Sequence, residues 1–147
     1  MDFNKAEFLN ETQVPYDELI VARTSLDGII TYANDTFISI SGYTKDELIG
    51  QHHNIVRHPD MPRVCFEELW RTIKEENKWI GNVKNLRKDG GYYWVKATVS
   101  GVYKDGVLVE YKSIRVPISS EEKLQTLKKY DELKIQTNDK QRHIVYK

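Results

Sequence analysis

Cysteine is almost absent from this sequence, in which Cys65 is the only example. A single cysteine cannot form an internal disulfide framework or a multi-cysteine metal site, and it suits a reducing compartment. No stretch approaches the roughly 18 apolar residues of a membrane-spanning helix. Residues 1–12 also lack the basic start and apolar run of a signal peptide. We therefore expect a cytoplasmic protein that does not itself insert into a membrane.

The formal net charge of the chain is zero, because 22 lysines and arginines balance 22 aspartates and glutamates. Without an overall field of one sign, there is no long-range reason to expect a nucleic acid or an anionic membrane as a partner. The chain of 147 residues is long enough for one domain with a modest extension, but short for two separate cores. Any partner must therefore be recognised through local features of that domain.

Turn and capping residues divide the first half of the chain into short elements. Asn34 or Asp35 can cap a short helix that Gly42 ends, and Thr44 with Glu47 forms a capping box for the next helix. Farther on, apolar residues recur at a spacing of three and four, which is typical of an amphipathic helix. The predicted elements are strands over 18–24 and 29–33, short helices over 34–40 and 44–48, and a longer helix over 60–76.

After this helix the period of the pattern changes from 3.6 to 2, which indicates strands. Trp79, Val83 and Asn85 then share one face of the first strand, whereas Asn82 and Lys84 lie on the other. Turns rich in glycine and aspartate separate the strands that follow. The predicted strands are 79–87, 92–103 and 107–118.

The order of these elements predicts an α+β fold, with five antiparallel strands, short helices on one face of the sheet and a C-terminal helix. From residue 119 the sequence becomes highly charged, and Leu124, Leu127 and Leu133 leave only a narrow apolar stripe. The predicted organisation is an N-terminal cap segment over 1–17, one folded domain over 18–119, and a helical extension and tail over 120–147.

Four strings in the chain resemble the PAS domain of bacterial aerotaxis and energy-taxis transducers, over about residues 19–119. They are YANDTF at 32–37, SGYT at 41–44, HNIVRHPDMP at 53–62 and WIGNVKNLRKDG at 79–90. The third string is close to a signature of the aerotaxis group, and the fourth is similar to flavin-binding PAS domains. The resemblance implies the PAS fold, FAD held between sheet and helices, and a conformational output without chemistry on a substrate.

The inward face of the strand over 79–87 carries two candidate flavin contacts. The Asn85 amide matches the carbonyl and N–H of a flavin ring edge, and Trp79 offers a flat apolar surface. Leaving this amide unpaired inside the protein would cost about 1 to 3 kcal/mol. The alternative for Asn85 is a hydrogen bond to neighbouring backbone. Phe66, Trp70 and Tyr93 are aromatic candidates for which a role in the core is the alternative.

A polar run, Arg57, His58 and Asp60, precedes the long helix. Arginine fits a pyrophosphate bidentately, and the helix N-terminus adds partial positive charge. The alternative is a solvated loop with a local pair between Arg57 and Asp60. Asn34 also has two open roles, as a helix cap and as a ligand contact. With the resemblance, the expected cofactor-binding residues are Asn34, Arg57, His58, Asp60, Phe66, Trp70, Trp79, Asn85 and Tyr93.

Other cofactor chemistry is less well supported by the residues. His53 or His58 could each ligate haem, but no acid or histidine partner recurs at metal-site spacing. Cys65 lies in the string RVCF, which does not match the Asn-Cys-Arg-Phe string of flavin domains that form a photochemical adduct, so a buried structural cysteine is expected. We expect no metal and no catalytic residues, and FAD is favoured over FMN.

The predicted function is therefore a redox or energy sensor that reports to a chemotaxis signalling partner and is not an enzyme. The alternatives are a PAS interaction or dimerisation module without cofactor, and a haem-type gas sensor. The C-terminal helix is suited to docking on the domain or pairing with a helix of a membrane-bound chemoreceptor or of a second copy. Pairing with the chemoreceptor would hold the protein at the inner face of the membrane. The chain is similar to small stand-alone energy-taxis PAS proteins, and a domain excised from a longer transducer would look the same.

Overall fold

Five antiparallel strands form one sheet in the computed structural model, which describes residues 10–139. The strands are β1 (Ile20–Thr24), β2 (Ile30–Ala33), β3 (Lys78–Leu86), β4 (Tyr92–Lys104) and β5 (Val107–Val116). Their order across the sheet is β2-β1-β5-β4-β3, so β2 and β3 are the edge strands. This confirms the predicted α+β class. Residues 1–9 of the predicted cap segment and 140–147 of the predicted tail lie outside the described part.

Four helices agree with the predicted ones, with two corrections at element ends, and a 3-10 helix that was not predicted lies between the second and third of them. They are α1 (Asp35–Ser41), α2 (Lys45–Leu48), a 3-10 helix (His53–Val56), α3 (Arg63–Glu76) and α4 (Ser120–Gln136). The helix predicted from residue 60 begins at Arg63, because Pro62 is its extended N-cap residue and restricts the residue before it. Strand β5 ends before Pro117, which has no N–H to continue a strand ladder.

Asn34 joins α1 to the sheet. Its side-chain oxygen accepts the backbone N–H of Phe37 at 3.0 Å and that of Val21 at 3.1 Å, and its amide nitrogen donates to the Leu19 carbonyl at 2.8 Å. The predicted cap is therefore confirmed. The predicted capping box at Thr44 and Glu47 is present too.

Helix α4 lies against the outer face of β3 and β4, on the side of the sheet opposite the cavities described below. Tyr130 stacks on Trp94 with ring centroids 6.4 Å apart, and its hydroxyl donates to the Asn82 carbonyl at the sheet edge. An edge strand presents unpaired backbone groups, so this contact covers one of them.

The apolar stripe predicted for this helix is only partly the docking face. Leu124 is 69% exposed, whereas Leu127 and Leu133 are partly buried against the core. The buried residues of the helix are Thr126 and Tyr130. The docking face differs from the stripe because it is matched to Trp94 and Asn82, whose aromatic and amide groups suit a tyrosine and a threonine.

Candidate ligand-binding site

Two neighbouring cavities lie between the inner face of the sheet and the helices, with volumes of about 60 and 30 Å³. Residues from the 3-10 helix, α3, β4 and β5 line both. These shared residues are His53, Val56, Leu69, Val99 and Arg115. Because the same side chains border both cavities, they are two parts of one interior region.

Strand alternation places the polar members of this region. Asn85 of β3 is paired with Tyr93 of β4, and Ala97 of β4 is paired with Arg115 of β5. Side chains two residues apart share a face, so these four point toward the helices together with Trp79. The predicted assignment of faces in β3 agrees with the buried positions of Trp79 and Asn85.

Five of the predicted cofactor-binding residues line the cavities. Arg57, Phe66, Trp79 and Asn85 border the smaller cavity, and Trp70 borders the larger one. The guanidinium carbon of Arg57 lies 3.9 Å from the centre of the Phe66 ring, a cation–π arrangement. A sixth predicted residue, Tyr93, does not line either cavity but is fully buried next to Asn85, with which its strand pairs.

The other three predicted residues are held in other contacts. Asn34 is tied to backbone as described above. His58 is fully buried, its Nδ1 accepts the Asp60 backbone N–H at 3.0 Å, and its ring meets the edge of Tyr92. The Asp60 carboxylate contacts the ammonium groups of Lys84 at 3.4 Å and Lys134 at 2.8 Å. A cofactor contact for these three residues stays a prediction.

Asn85 is hydrogen-bonded within the protein. The orientation of its amide follows from its partners, because the oxygen then accepts from Arg115 Nη1 at 2.7 Å and the nitrogen donates to the Val56 carbonyl at 3.2 Å. The backbone contact expected as the alternative is therefore present. The bond to Arg115 also ties β3 to β5 across the cavity wall.

Three buried polar atoms of this region have no hydrogen-bond partner among the described residues: His53 Nε2, Trp79 Nε1 and Tyr93 Oη. Each such group costs free energy when it is withdrawn from water unpaired, typically about 1–3 kcal/mol. Burial raises the pKa of Tyr93 to about 12, although Arg115 and Asn85 act in the opposite direction. Such groups converging on one interior region indicate a place for a polar ligand.

Arg115 is a candidate that the sequence interpretation missed. Its Nε donates to Ser113 Oγ at 2.9 Å, and no carboxylate of the described residues forms an ion pair with it. Burial lowers the pKa of Arg115 from its usual value. The available signal was alternation in β5, which places Tyr111, Ser113 and Arg115 on the inward face. A cationic side chain at such a position needs a partner.

His53 was considered in the sequence only as a haem ligand, yet it borders both cavities. Burial, with repulsion from His52, Arg115 and Arg57, lowers the pKa of His53 to about 4. The imidazole is therefore neutral near pH 7. The two guanidinium groups, Arg57 and Arg115, make the region electropositive, and neither cavity is lined by aspartate or glutamate.

Two other features bear on the kind of site. Within residues 10–139, no three histidine, cysteine, aspartate or glutamate side chains are grouped as metal ligands would be. Cys65 is buried, as predicted, and burial raises the pKa of its thiol to about 11. Over the same residues, no helix is both long and apolar enough to cross a membrane.

Comparison with known proteins gives a consistent result. Residues 30–115 match the PAS fold family. The chain is 46% identical over 111 residues to the aerotaxis receptor of Escherichia coli K12, covering 76% of this chain and 22% of the receptor. It is 29% identical over 109 residues to the nitrogen fixation regulatory protein of Klebsiella pneumoniae, covering 74% of this chain and 22% of that protein. The chain thus spans about a fifth of these relatives.

Solved structures show the same fold. The PAS domain of a protein from Colwellia psychrerythraea superposes with a TM-score of 0.63 at 26% identity, covering 68% of this chain and 86% of that domain. The light-state structure of the blue-light photoreceptor Aureochrome1 LOV gives a TM-score of 0.67 at 22% identity, covering 75% of this chain and 90% of the photoreceptor domain.

Proposed function

Since this chain belongs to the PAS fold family, we propose that it is a redox sensor that binds a flavin, FAD rather than FMN, between its sheet and helices. Residues 18–119 form the sensor domain, and the remainder of the described chain is an extension that contacts it. The sensor reports its redox state to a signalling partner and turns over no substrate. Similarity to the aerotaxis receptor supports a membrane-bound chemoreceptor as that partner, at the cytoplasmic face of the membrane.

The observation that carries this proposal is the group of buried polar atoms beside the two cavities that have no hydrogen-bond partner among the described residues. Trp79 Nε1, Tyr93 Oη and His53 Nε2 have no hydrogen-bond partner within residues 10–139, and Arg115 borders the same region with no ion-paired carboxylate in that range. A flavin ring edge has several carbonyl and ring-nitrogen atoms that can pair with such groups. In a purely apolar core, these unpaired groups would only lower the stability of the fold.

The residues around this edge fit the parts of the group. Asn85 and Arg115 would hold the polar ring edge, and Phe66, Trp70 and Trp79 would cover its flat faces. Arg57 would bind the phosphate oxygens of the flavin nucleotide, because a guanidinium pairs bidentately with them. FAD is proposed because the string at 53–62 resembles the signature of the aerotaxis group, which implies FAD.

The cavity volumes of about 60 and 30 Å³ are below the roughly 300 Å³ of ordinary ligand pockets. Binding a flavin therefore requires the side chains between the two cavities to move. Arg115 borders both cavities and bonds to Asn85, so its displacement would open the region and free the Asn85 amide for the ligand.

When bound, a flavin supplies reversible acceptance of electrons. The protein holds the ring in place, excludes water and responds to the change of charge at the ring edge. Arg115 would interact more strongly with a ring that carries added electrons. A change in its position would be transmitted through Asn85 to β3.

Strand β3 links this region to α4. Asn85 faces the cavity, whereas Asn82 on the opposite face donates to Glu122 and Thr126 of α4 at 2.9 Å. Lys84, also on that face, contacts Asp60, which in turn contacts Lys134 of α4. A shift of β3 would therefore alter the docking of α4, which is the proposed output element.

The experiment that tests this function compares flavin content per folded protein in matched variants. Trp79→Ala, Asn85→Ala and Arg115→Met should each retain much less flavin than the wild type. Asn82→Ala is the control, because it removes the same amide from the same strand on the opposite face. Equal flavin content in all four variants would show that this region is not the binding site.

A second candidate, a PAS interaction module without cofactor, is favoured by the small volume of the cavities. In that case the docked helix α4 or the sheet would bind a partner or a second copy directly. Failure of the purified protein to take up added FAD, with partner binding retained, would support this function over the first.

A further inference from the structure

His53 is held at the cavity by its local structure. Its backbone N–H donates to the Gly28 carbonyl at 2.9 Å, and its ring lies 4.4 Å from the His52 ring and 5.6 Å from the Trp70 ring, centre to centre. Gly28 has φ +84°, and a Cβ there would lie 2.7 Å from His52 Nε2 and 3.0 Å from His53 Cδ2. Glycine thus allows the loop to pack closely against the two rings, which keeps His53 pointing inward.

We propose that His53 is the protonatable group that faces the bound flavin and takes up a proton when the flavin is reduced. This inference rests on the proposed function. Its basis is geometric: His53 borders both cavities, and its Nε2 is buried without a partner among the described residues. An imidazole nitrogen can donate or accept, so it can pair with a ring edge whose donors and acceptors change on reduction.

The surroundings keep His53 neutral before reduction. The charged or titratable groups near it are His52 beside it, Arg57 at the end of the 3-10 helix and Arg115 of β5, with Tyr111 of β5 lining the same cavity. From α3 it faces the uncharged Trp70. Because the nearby cationic groups repel a further positive charge and burial disfavours it, the pKa of His53 is about 4.

Added negative charge at the ring reverses this balance. At an effective dielectric constant of about 20, one unit charge about 4 Å away raises the pKa of an imidazole by about 3. The pKa of His53 would therefore rise next to the reduced flavin, which lets the imidazole bind a proton. The electrons come from an external reductant and stay on the flavin, the proton comes from solvent and binds the imidazole, and no bond in the protein breaks.

Redox titration at several pH values tests the inference. Between pH 5 and 6.5, uptake of one proton per electron makes the midpoint potential fall by 59 mV for each unit by which the pH rises. Uptake of one proton per two electrons makes it fall by half as much. His53→Gln keeps hydrogen-bonding atoms but cannot titrate, so it should lose this one-proton contribution to the slope.

His52→Asn is the matched control. It removes the neighbouring imidazole, which is not among the residues that line the cavities, and asparagine can replace His52 as the cap of the 3-10 helix. Its pH slope should equal that of the wild type, with the pKa of His53 raised by the loss of the His52 repulsion. A flavin-bound His53→Gln protein with the wild-type slope would overturn the inference while leaving the proposed function intact. A wild-type protein that binds no flavin would overturn both.

If His53→Gln retains no flavin, nitrogen NMR of the wild type labelled at histidine decides. The ring-nitrogen shifts of His53 should differ between the oxidised and the fully reduced protein at pH 6, and by more than those of His52, whose ring lies 4.4 Å away. Identical His53 shifts in the two states would refute the proton uptake.

Discussion

Replacing Asp60 with asparagine removes the negative charge that joins three elements of the fold. Asp60 lies just before α3, and its carboxylate contacts Lys84 of β3 at 3.4 Å and Lys134 of α4 at 2.8 Å. Lys84 is only 3% exposed. The two ammonium groups would then face each other without the carboxylate between them.

The size of the effect follows from burial. Breaking a buried ion pair by removing one partner typically costs about 3–5 kcal/mol. The Asp60 side chain is 13% exposed to solvent, and an asparagine side chain in its place can still accept a hydrogen bond. We therefore expect the lower end, about 3 kcal/mol in the free energy of unfolding.

Urea unfolding followed by circular dichroism measures this change. With a slope of about 2 kcal/mol per molar urea, a loss of 3 kcal/mol lowers the midpoint by about 1.5 M. Asp131→Asn is the control, because Asp131 contacts the same Lys134 at 3.2 Å but its side chain is 65% exposed. An exposed pair of this kind contributes about 1 kcal/mol at most.

Equal midpoints for the Asp60 and Asp131 variants would refute the view that Asp60 links α3, β3 and α4. A second replacement, Lys84→Met in the Asp60→Asn background, should recover part of the loss, because it removes one of the facing charges and keeps an apolar stem of similar length. No recovery would mean that the loss comes from somewhere other than the buried lysine.

Three further changes follow from the described contacts. Tyr130→Phe should lower stability by about 1 kcal/mol, because the hydroxyl that covers the edge-strand carbonyl is lost; an unchanged urea midpoint would contradict that contact. Gly81→Ala would place a Cβ 2.3 Å from the Trp79 ring, so the ring must move; tryptophan emission should shift and stability should fall by about 1–3 kcal/mol, and identical emission and stability would contradict the packing. Burial lowers the pKa of His53 to about 4 and that of His58 to about 2. Below about pH 6.5 the unfolded chain therefore binds protons that the folded chain does not, and stability should fall by about 2 kcal/mol per histidine between pH 7 and pH 5; equal urea midpoints at the two pH values would contradict this.

Much of the fold could be predicted because the signals are local. Asn34, Gly42 and the box of Thr44 with Glu47 mark helix ends by their own hydrogen bonds and backbone angles. Alternation in β3 assigns Trp79 to the inside without knowledge of any partner. The docking face of α4 could not be found this way, because it depends on side chains of β3 and β4 that are distant in sequence.

The site was predicted in part for the same reason. Aromatic and amide residues on an inward strand face could be placed by period alone. His58 and Asp60 belong to a string that resembles a family signature, but the structure uses them in a buried network with Tyr92, Lys84 and Lys134. Arg115 and His53 gain their importance from a cavity that only the packed sheet and helices create.

The absorption spectrum of the purified protein, before and after addition of FAD and removal of the excess, tests the central proposal most directly. We expect the two visible and near-ultraviolet bands of an oxidised flavin, lost on reduction with dithionite, and FAD as the molecule released on denaturation. A spectrum without these bands after incubation with FAD would contradict the proposal and favour the cofactor-free module. A Soret band would instead indicate haem.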